Sequence, residues 1–505
     1  MTNPIKSPDE PAVRNGRAGQ TEGVVFSASE TTDVGHETCA TVSLDCIAHA
    51  SRFAGRNPLA TNRFDGRARG AAMTIDNPTI SSTSAERRAA RPYNETDLSS
   101  TAFWTSTGAE RERTFAHLRA TSPVSWHRPV EDLLVEDPND QGFWAVMSHA
   151  ALVEVTKRHV DFCSGEGIVM ESLPQELLDI GQGFIALDPP RHTKVRRLLT
   201  AAFTPKQIRR INDQIQANAK RVVDELAPQG EADFVPECAA PLPMHNICDM
   251  MGVPEDVRRK VADEARYAGG WSDPELMGDQ QPIPRLWEAM GYLREVARDL
   301  IGKRRNHPEH DLLTNLVEAE VDGEKLTDDE IVSFFGLLTI AGNDTTRQSS
   351  SHAMKALTDF PDQRAWLMED FDARIKSAVE EMVRWATPIM TFRRTATRDC
   401  ELAGQQITEG DKVVMFYASA NWDTDVFTEP EKFDLSRHPN PHVGFGGGGI
   451  HHCLGGQLAR QQLAALFDEL LHRLPDIEVC GEPSYTVNTF FHGVNHLPVR
   501  FTPSR

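Results

Sequence analysis

Gly444-Phe-Gly-Gly-Gly-Gly-Ile-His-His-Cys453-Leu-Gly455 is the stretch on which the reading of this 505-residue chain turns. Gly444, Gly446 and Gly449 satisfy a GxGxxG spacing, but a dinucleotide site needs a central strand just before its first glycine. The preceding RHPNPHV carries two prolines and cannot be that strand. A zinc site fails as well, because His451, His452 and Cys453 are adjacent and no second ligand pair stands nearby. What remains is a glycine-rich backbone that can lie flat against a large planar group. It then presents one thiolate at the start of a helix, Leu454 to about Leu471, whose N-terminal end favours negative charge. A haem iron with an axial cysteine fits every part of this pattern.

Upstream, Thr327 and Glu330 form a capping-box pattern just before an apolar run, so a helix starts there. From Ile331 to Ala341 its apolar residues occupy nearly the whole circumference, which predicts a buried, central helix. It runs into AGNDTTR, Ala341 to Arg347, which places a glycine, a carboxylate and two β-branched alcohols where aliphatic residues would pack better. Gly342 lets something bulky approach the backbone, and the Thr345 hydroxyl can compete for the Ala341 carbonyl. A kink or a groove is the expected result. Taken alone, the Asp-Thr pair would equally suit a satisfied polar patch between helices, and the cysteine loop supplies the context that decides.

The rest of the chain sets the frame. With 53 basic and 74 acidic side chains the formal charge is −21, which repels phosphate backbones and excludes nucleic acid as a partner. Hydrophobic residues at 39% and charged residues at 25% describe a globular protein with a sizeable core. No stretch approaches the roughly 20 apolar residues of a membrane span, and the first residues lack the apolar run of a signal peptide. Eight cysteines without a CxxC pair suggest free thiols and a cytoplasmic location. Residues 1–92 show no lasting apolar period and read as a disordered or loosely attached extension, with Met73 as an alternative start; the domain is expected over 93–505. Helical patterns such as Glu110 to Ala120 then recur to the end. FWAVMS, KVVMFYAS and LPVRF are strand-like but too few for a βαβ alternation, so the fold class is mainly α with small β-sheets.

In order along the chain stand DPPRHTKVRR, AGNDTT, EEMVR, RRTATRD, EPEKFDLSR and FGGGGIHHCLG. Over roughly residues 95 to 505 this succession resembles the bacterial cytochrome P450 monooxygenases. CDMMGVP, NLVEAEVDGE and FFHGVNHLPV look like the actinobacterial branch that oxidises terminal methyl groups of methyl-branched lipids and sterol side chains. The resemblance implies a triangular, α-rich prism with haem b between the central helix and the cysteine loop. Cys453 would be the iron ligand, and His451, Arg394, His192 and Arg196 would contact the propionates. The spacing of His192 and Arg196 independently places them on one helix face. Phe445 and Gly342 would border the haem, while Glu381, Arg384 and Arg437 would form a structural ion network beneath it.

By the same resemblance Thr345 would guide protons during dioxygen activation and Asp344 would relay them by rotating toward solvent. The substrate would lie among Leu338, Ala341, Met390, Phe490 and Phe491. Electrons would come from NAD(P)H through a ferredoxin reductase and a ferredoxin, the latter docking on Arg191, Lys194, Arg197 and Arg460. Phe445 stands eight residues before Cys453 where most of the family has seven; His452 replaces a common aromatic residue and Trp422 a common arginine. Competing readings are a terpenoid or steroid ring hydroxylase, a peroxygenase, which the Asp344-Thr345 pair opposes, and a non-catalytic haem-binding protein.

Overall fold

The Thr327 hydroxyl accepts from the Glu330 amide while the Glu330 carboxylate accepts from the Thr327 N–H at 2.8 Å, closing the capping box the sequence predicts. Such a cap contributes about 1 kcal/mol. From it a single helix of 32 residues, Asp328–Asp359, runs unbroken. This central helix buries Ile331, Val332, Phe334 and Phe335 against the helices Pro241–Met251, Glu255–Gly269, Pro282–Asn306 and Phe371–Ala386. AGNDTT does not interrupt it. The structure is a computed structural model in which residues 91–131, 137–171, 183–271 and 273–504 are described, and the expected extension lies outside them except for Arg91 and Pro92.

The FWAVMS and KVVMFYAS runs pair as parallel neighbours, Phe143–Val146 beside Lys412–Phe416, in a five-stranded sheet. Its order is Val124–His127, Phe143–Val146, Lys412–Phe416, Thr391–Ala396, Phe162–Cys163. Side chains alternate across a strand. Accordingly Trp144, Val146, Val413 and Met415 enter one apolar cluster, while Phe143, Ala145, Val414 and Phe416 enter another on the opposite face. A sheet covered on both faces explains why these runs are apolar throughout and not alternating. The second run stops being a strand at Phe416: Tyr417–Ala420 turns helical and delivers Asn421, whose side chain bonds Thr387 and the Val443 amide. The LPVRF run forms the strand Pro498–Arg500. Among the described residues no helix is long and apolar enough to cross a membrane.

Arg91 is already part of the domain. Its guanidinium lies 4.4 and 4.5 Å from the ring centroids of Trp126 and Trp144, and its Nη1 is 2.9 Å from the buried Asp411. A cation over two indoles with a paired carboxylate is worth about 1–2 kcal/mol. Deleting residues 1–90 should therefore leave the thermal midpoint and haem content nearly unchanged, whereas Arg91→Ala should lower the midpoint by a few degrees. Thermal denaturation followed by circular dichroism checks both; a large loss on deleting 1–90 would mean that the extension stabilises the domain.

Candidate active site

The central helix and the cysteine loop face each other across a cavity of about 610 Å³. Leu338, Ala341, Gly342, Thr345 and Ser349 follow helical spacing and present one stripe of the helix to it. On the other side, Cys453 N–H donates to the Phe445 carbonyl at 2.9 Å and Gly446 N–H to the Val443 carbonyl at 2.7 Å, which folds the loop back on itself. The glycines have a steric reason: a Cβ on Gly449 would fall 1.8 Å from the Thr156 carbonyl oxygen, and Gly446 has φ +103°. The loop can approach the helix His149–Lys157 only as bare backbone. Phe445 faces the cavity despite its extra residue of spacing, with the Arg460 guanidinium 4.1 Å from its ring centroid.

Cys453 exposes surface to the cavity yet is otherwise enclosed by protein atoms. That enclosure raises its thiol, while the Gly455 N–H, then Arg196 and Arg460, favour the thiolate. The helix behind it is Gly456–Arg473, so the sulfur stands just ahead of the first turn, as the sequence predicts.

Four nitrogen-bearing side chains converge beside the loop. His192 and Arg196 share the helix Arg191–Ala202. The His192 ring lies 4.2 Å from that of His451 and is 1% exposed, and neither of its ring nitrogens has a partner. Burial first, then Arg394, His192 and Arg196, push His451 down to about 2, and burial with Arg196 lowers His192. Arg394 is buried on the strand Thr391–Ala396, and Arg196 donates to the His452 carbonyl at 2.7 Å. Orphaned imidazole nitrogens beside two guanidinium groups are costly without an anion, and two carboxylates would satisfy them. Together with the bare loop and the inward-facing thiol, these residues fit a flat iron macrocycle carrying two carboxylates.

Glu381 and Arg384 are fully buried in the helix Phe371–Ala386 and joined by two hydrogen bonds of 2.8 and 2.7 Å. Arg437 Nε and Asn440 Nδ2 both reach Glu381 Oε2 at 3.1 Å. Trp422, which the sequence alone leaves without a role, puts its indole 5.9 Å from the Arg384 guanidinium and 5.3 Å from the Trp385 ring.

Two expectations meet a different arrangement, Met390 and the basic patch, and Asp344 sits where its expected relay requires the rotation. Asp344 does not line the cavity: it is buried against Gly269, with Arg347 Nη2 2.6 Å from Oδ1 in an ion pair too poorly aligned for a hydrogen bond. Burial raises its carboxyl, opposed by Arg347. Met390 also points away, into the cluster of Phe143, Val414 and Phe416, and its neighbours Ile389 and Phe392 form the wall instead. The basic patch is cancelled within the chain. Arg191 pairs with Glu330, Lys194 with Glu324 at 2.7 Å, Arg197 with Asp322 at 2.6 Å, and Arg460 with Glu380. Leu338, Ala341, Phe490 and Phe491 do line the cavity, joined by Ile247 from the helix Pro241–Met251, which sequence reasoning missed. Ile247 comes so close to Gly342 that a Cβ there would meet it at 3.2 Å.

The family profile described as Cytochrome P450 matches residues 288–475. A methyl-branched lipid omega-hydroxylase of Mycobacterium tuberculosis is 40% identical over 416 residues, covering 81% of this chain and 96% of the relative. A steroid C26-monooxygenase of Rhodococcus jostii is 39% identical over 394 residues, covering 77% of this chain and 81% of the relative. Among solved structures, a Mycobacterium marinum cytochrome P450 in complex with pseudoionone matches with a TM-score of 0.79 at 55% identity, covering 82% of this chain and 100% of the other. With this fold, this loop and these relatives, the chain belongs to the cytochrome P450 family of haem-thiolate monooxygenases.

Proposed function

We propose that the protein hydroxylates the terminal methyl group of a methyl-branched lipid or of a sterol side chain, with Cys453 as the residue that would hold the iron of haem b. The observation that carries this reading is the aromatic part of the cavity wall. Phe490 is held edge-on between Phe392, at 5.1 Å, and Phe491, at 4.9 Å, and lines the same cavity as Ile389, Leu338 and Ala341. Aromatic rings braced in this way form a stiff, apolar passage. Secondary and tertiary C–H bonds are weaker than those of a methyl group, so terminal oxidation requires a passage that presents only the chain end. The names of the lipid and steroid relatives agree with that geometry.

Haem bound here supplies reductive activation of dioxygen and transfer of one oxygen atom to carbon. His192, Arg196, Arg394 and His451 would hold its propionates. The Thr345 hydroxyl donates to the Ala341 carbonyl at 2.8 Å, which fixes its oxygen at the cavity wall with lone pairs available to receive and pass a proton. Asp344 would relay protons only after leaving Arg347 and turning from its buried position. Electrons would come from a ferredoxin, docking on a surface whose cations are already paired, so that contact and not net charge would orient it. The six described cysteines are all free, consistent with the reducing cytoplasm in which such donors work.

Product analysis by mass spectrometry tests the regiochemistry. Branched isoprenoid lipids and side-chain sterols should give terminal alcohols, straight chains should turn over more slowly, and Phe490→Ala should shift oxidation toward interior carbons. Mainly in-chain or ring alcohols from the parent enzyme would overturn the terminal assignment. Thr345→Ala should still bind haem and substrate but lower the yield of product per NAD(P)H by about tenfold, with hydrogen peroxide making up the difference. Unchanged coupling would show that another group guides the proton.

A further inference from the structure

Glu171 is a carboxyl in the cavity wall, 6% exposed, among apolar neighbours that include Ile168, Val169, Ile389 and Phe490. Its position is fixed from two sides. Arg393 Nη1 donates to the Glu171 backbone carbonyl at 3.1 Å, and the Thr489 hydroxyl donates to Glu171 Oε1 at 3.1 Å. Thr489 is itself tied to the strand Thr391–Ala396, because its carbonyl accepts from the Thr391 hydroxyl at 2.8 Å. Glu171 Oε2 has no hydrogen-bond partner. A buried polar atom left this way costs about 1–3 kcal/mol.

Two cations lie near enough to act on this carboxyl: Lys412, which is committed elsewhere, and Arg393, whose Nε has no partner. Arg393 uses Nη1 on the Glu171 carbonyl and Nη2 on Thr395, and Lys412 pairs with Asp140 at 2.5 Å. Neither lines the cavity. Burial is the dominant influence and raises the carboxyl above its ordinary range, against its own backbone N–H, the Thr489 hydrogen bond and the two cations. A neutral carboxylic acid offers both a donor and an acceptor. Among the described residues the cations that do line the cavity are Arg196 and Arg394, the pair beside His451 that suits the propionates.

We propose that Glu171 is a specificity-determining residue that binds the polar end of the substrate through its carboxyl group, and that this end is an uncharged oxygen function, a hydroxyl or a ketone carbonyl. A carboxylate head group would bring a second acid into an apolar wall where, among the described residues, the only cations are the pair that suits the propionates, which is strongly unfavourable. A hydrocarbon would leave Oε2 unsatisfied. The inference rests on the reading of the cavity as the pocket of a branched lipid and adds to it the chemistry of the head group.

The test uses the haem-loaded full chain and three ligands on one branched skeleton: phytanol, phytane and phytanic acid. Affinity is read from the Soret shift of the oxidised protein on titration. Phytanol should bind about tenfold more tightly than either of the others, the effect of one buried hydrogen bond gained. Glu171→Leu should bring the phytanol-to-phytane ratio close to one, and Glu171→Gln, which keeps a donor and an acceptor, should restore most of it. In the unsubstituted protein, difference infrared spectroscopy should show the C=O stretch of a protonated carboxyl moving when phytanol binds and staying when phytane binds. This measurement decides the matter even if Glu171→Leu fails to fold. Equal affinities for the three ligands, an unchanged ratio in Glu171→Leu, or a C=O stretch indifferent to phytanol would overturn the proposal and assign Oε2 to a resident water. Regiochemistry is read from products and not from affinities, so terminal hydroxylation can stand or fall separately.

Discussion

Arg384→Ala should yield protein with little or no bound haem and a stability lower by about 3–5 kcal/mol, the usual cost of removing one partner of a buried ion pair. The guanidinium spends every edge on buried acceptors: Nε and Nη2 on Glu381, Nη1 on the Asn421 carbonyl at 2.9 Å, and Nη2 again on the Pro430 carbonyl at 3.0 Å. Without it, the fully buried Glu381 carboxylate keeps only Arg437, Asn440 and the Asp434 amide. The loss reaches the haem site because the same helix positions the cysteine loop. Glu380 accepts from His442 at 2.9 Å, and Gly444 lies so close to Val383 that a Cβ on the glycine would come within 2.7 Å of it. A domain of ordinary stability, about 5–15 kcal/mol, would retain a fold but not a well-set loop. Arg384→Lys should recover only part of the loss, since an ammonium cannot span both carboxylate oxygens. Urea unfolding and the haem-to-protein ratio check this; parent values for both in Arg384→Ala would show that the network does not hold the loop.

The features legible in the sequence are those in which local chemistry is unusual. A glycine run ending in His-His-Cys-Leu-Gly and two threonines inside an all-round apolar helix each contradict ordinary propensity, and each leads to the cavity, while the capping box marks where that helix starts. What escaped depends on long-range placement. The cations Lys194 and Arg197 look free along the chain, but the hairpin around Asp322 and Glu324 returns to neutralise them. Met390 looks like a wall residue because the run Pro388 to Phe392 is uniformly apolar. Which member faces the cavity is settled by the bridge of Ile389 to Phe491 and by the sheet core that takes Met390. Asp344 is adjacent to Thr345, yet neighbouring positions on a helix face different ways, and its side meets Gly269. Glu171 gave no signal at all: one of two glutamates in GEGIVMES, it becomes unusual only when burial leaves one oxygen without a partner.

The chemistry of the whole site depends on one ligand, and Cys453 can be tested without knowing the substrate. The sulfur stands at the cavity wall with the Gly455 amide and the Arg196 and Arg460 guanidinium groups favouring its charge, and among the described residues no other cysteine lines that cavity. Thiolate ligation moves the Soret band of the reduced carbon monoxide complex far to the red of its position with a nitrogen ligand. The reduced, carbon monoxide-bound parent protein should show that red-shifted band at full haem content, and Cys453→Ala should lose it completely together with all hydroxylation. Retention of the band in Cys453→Ala would contradict the assignment of the iron site, and with it the roles of Thr345, the propionate contacts and the substrate wall.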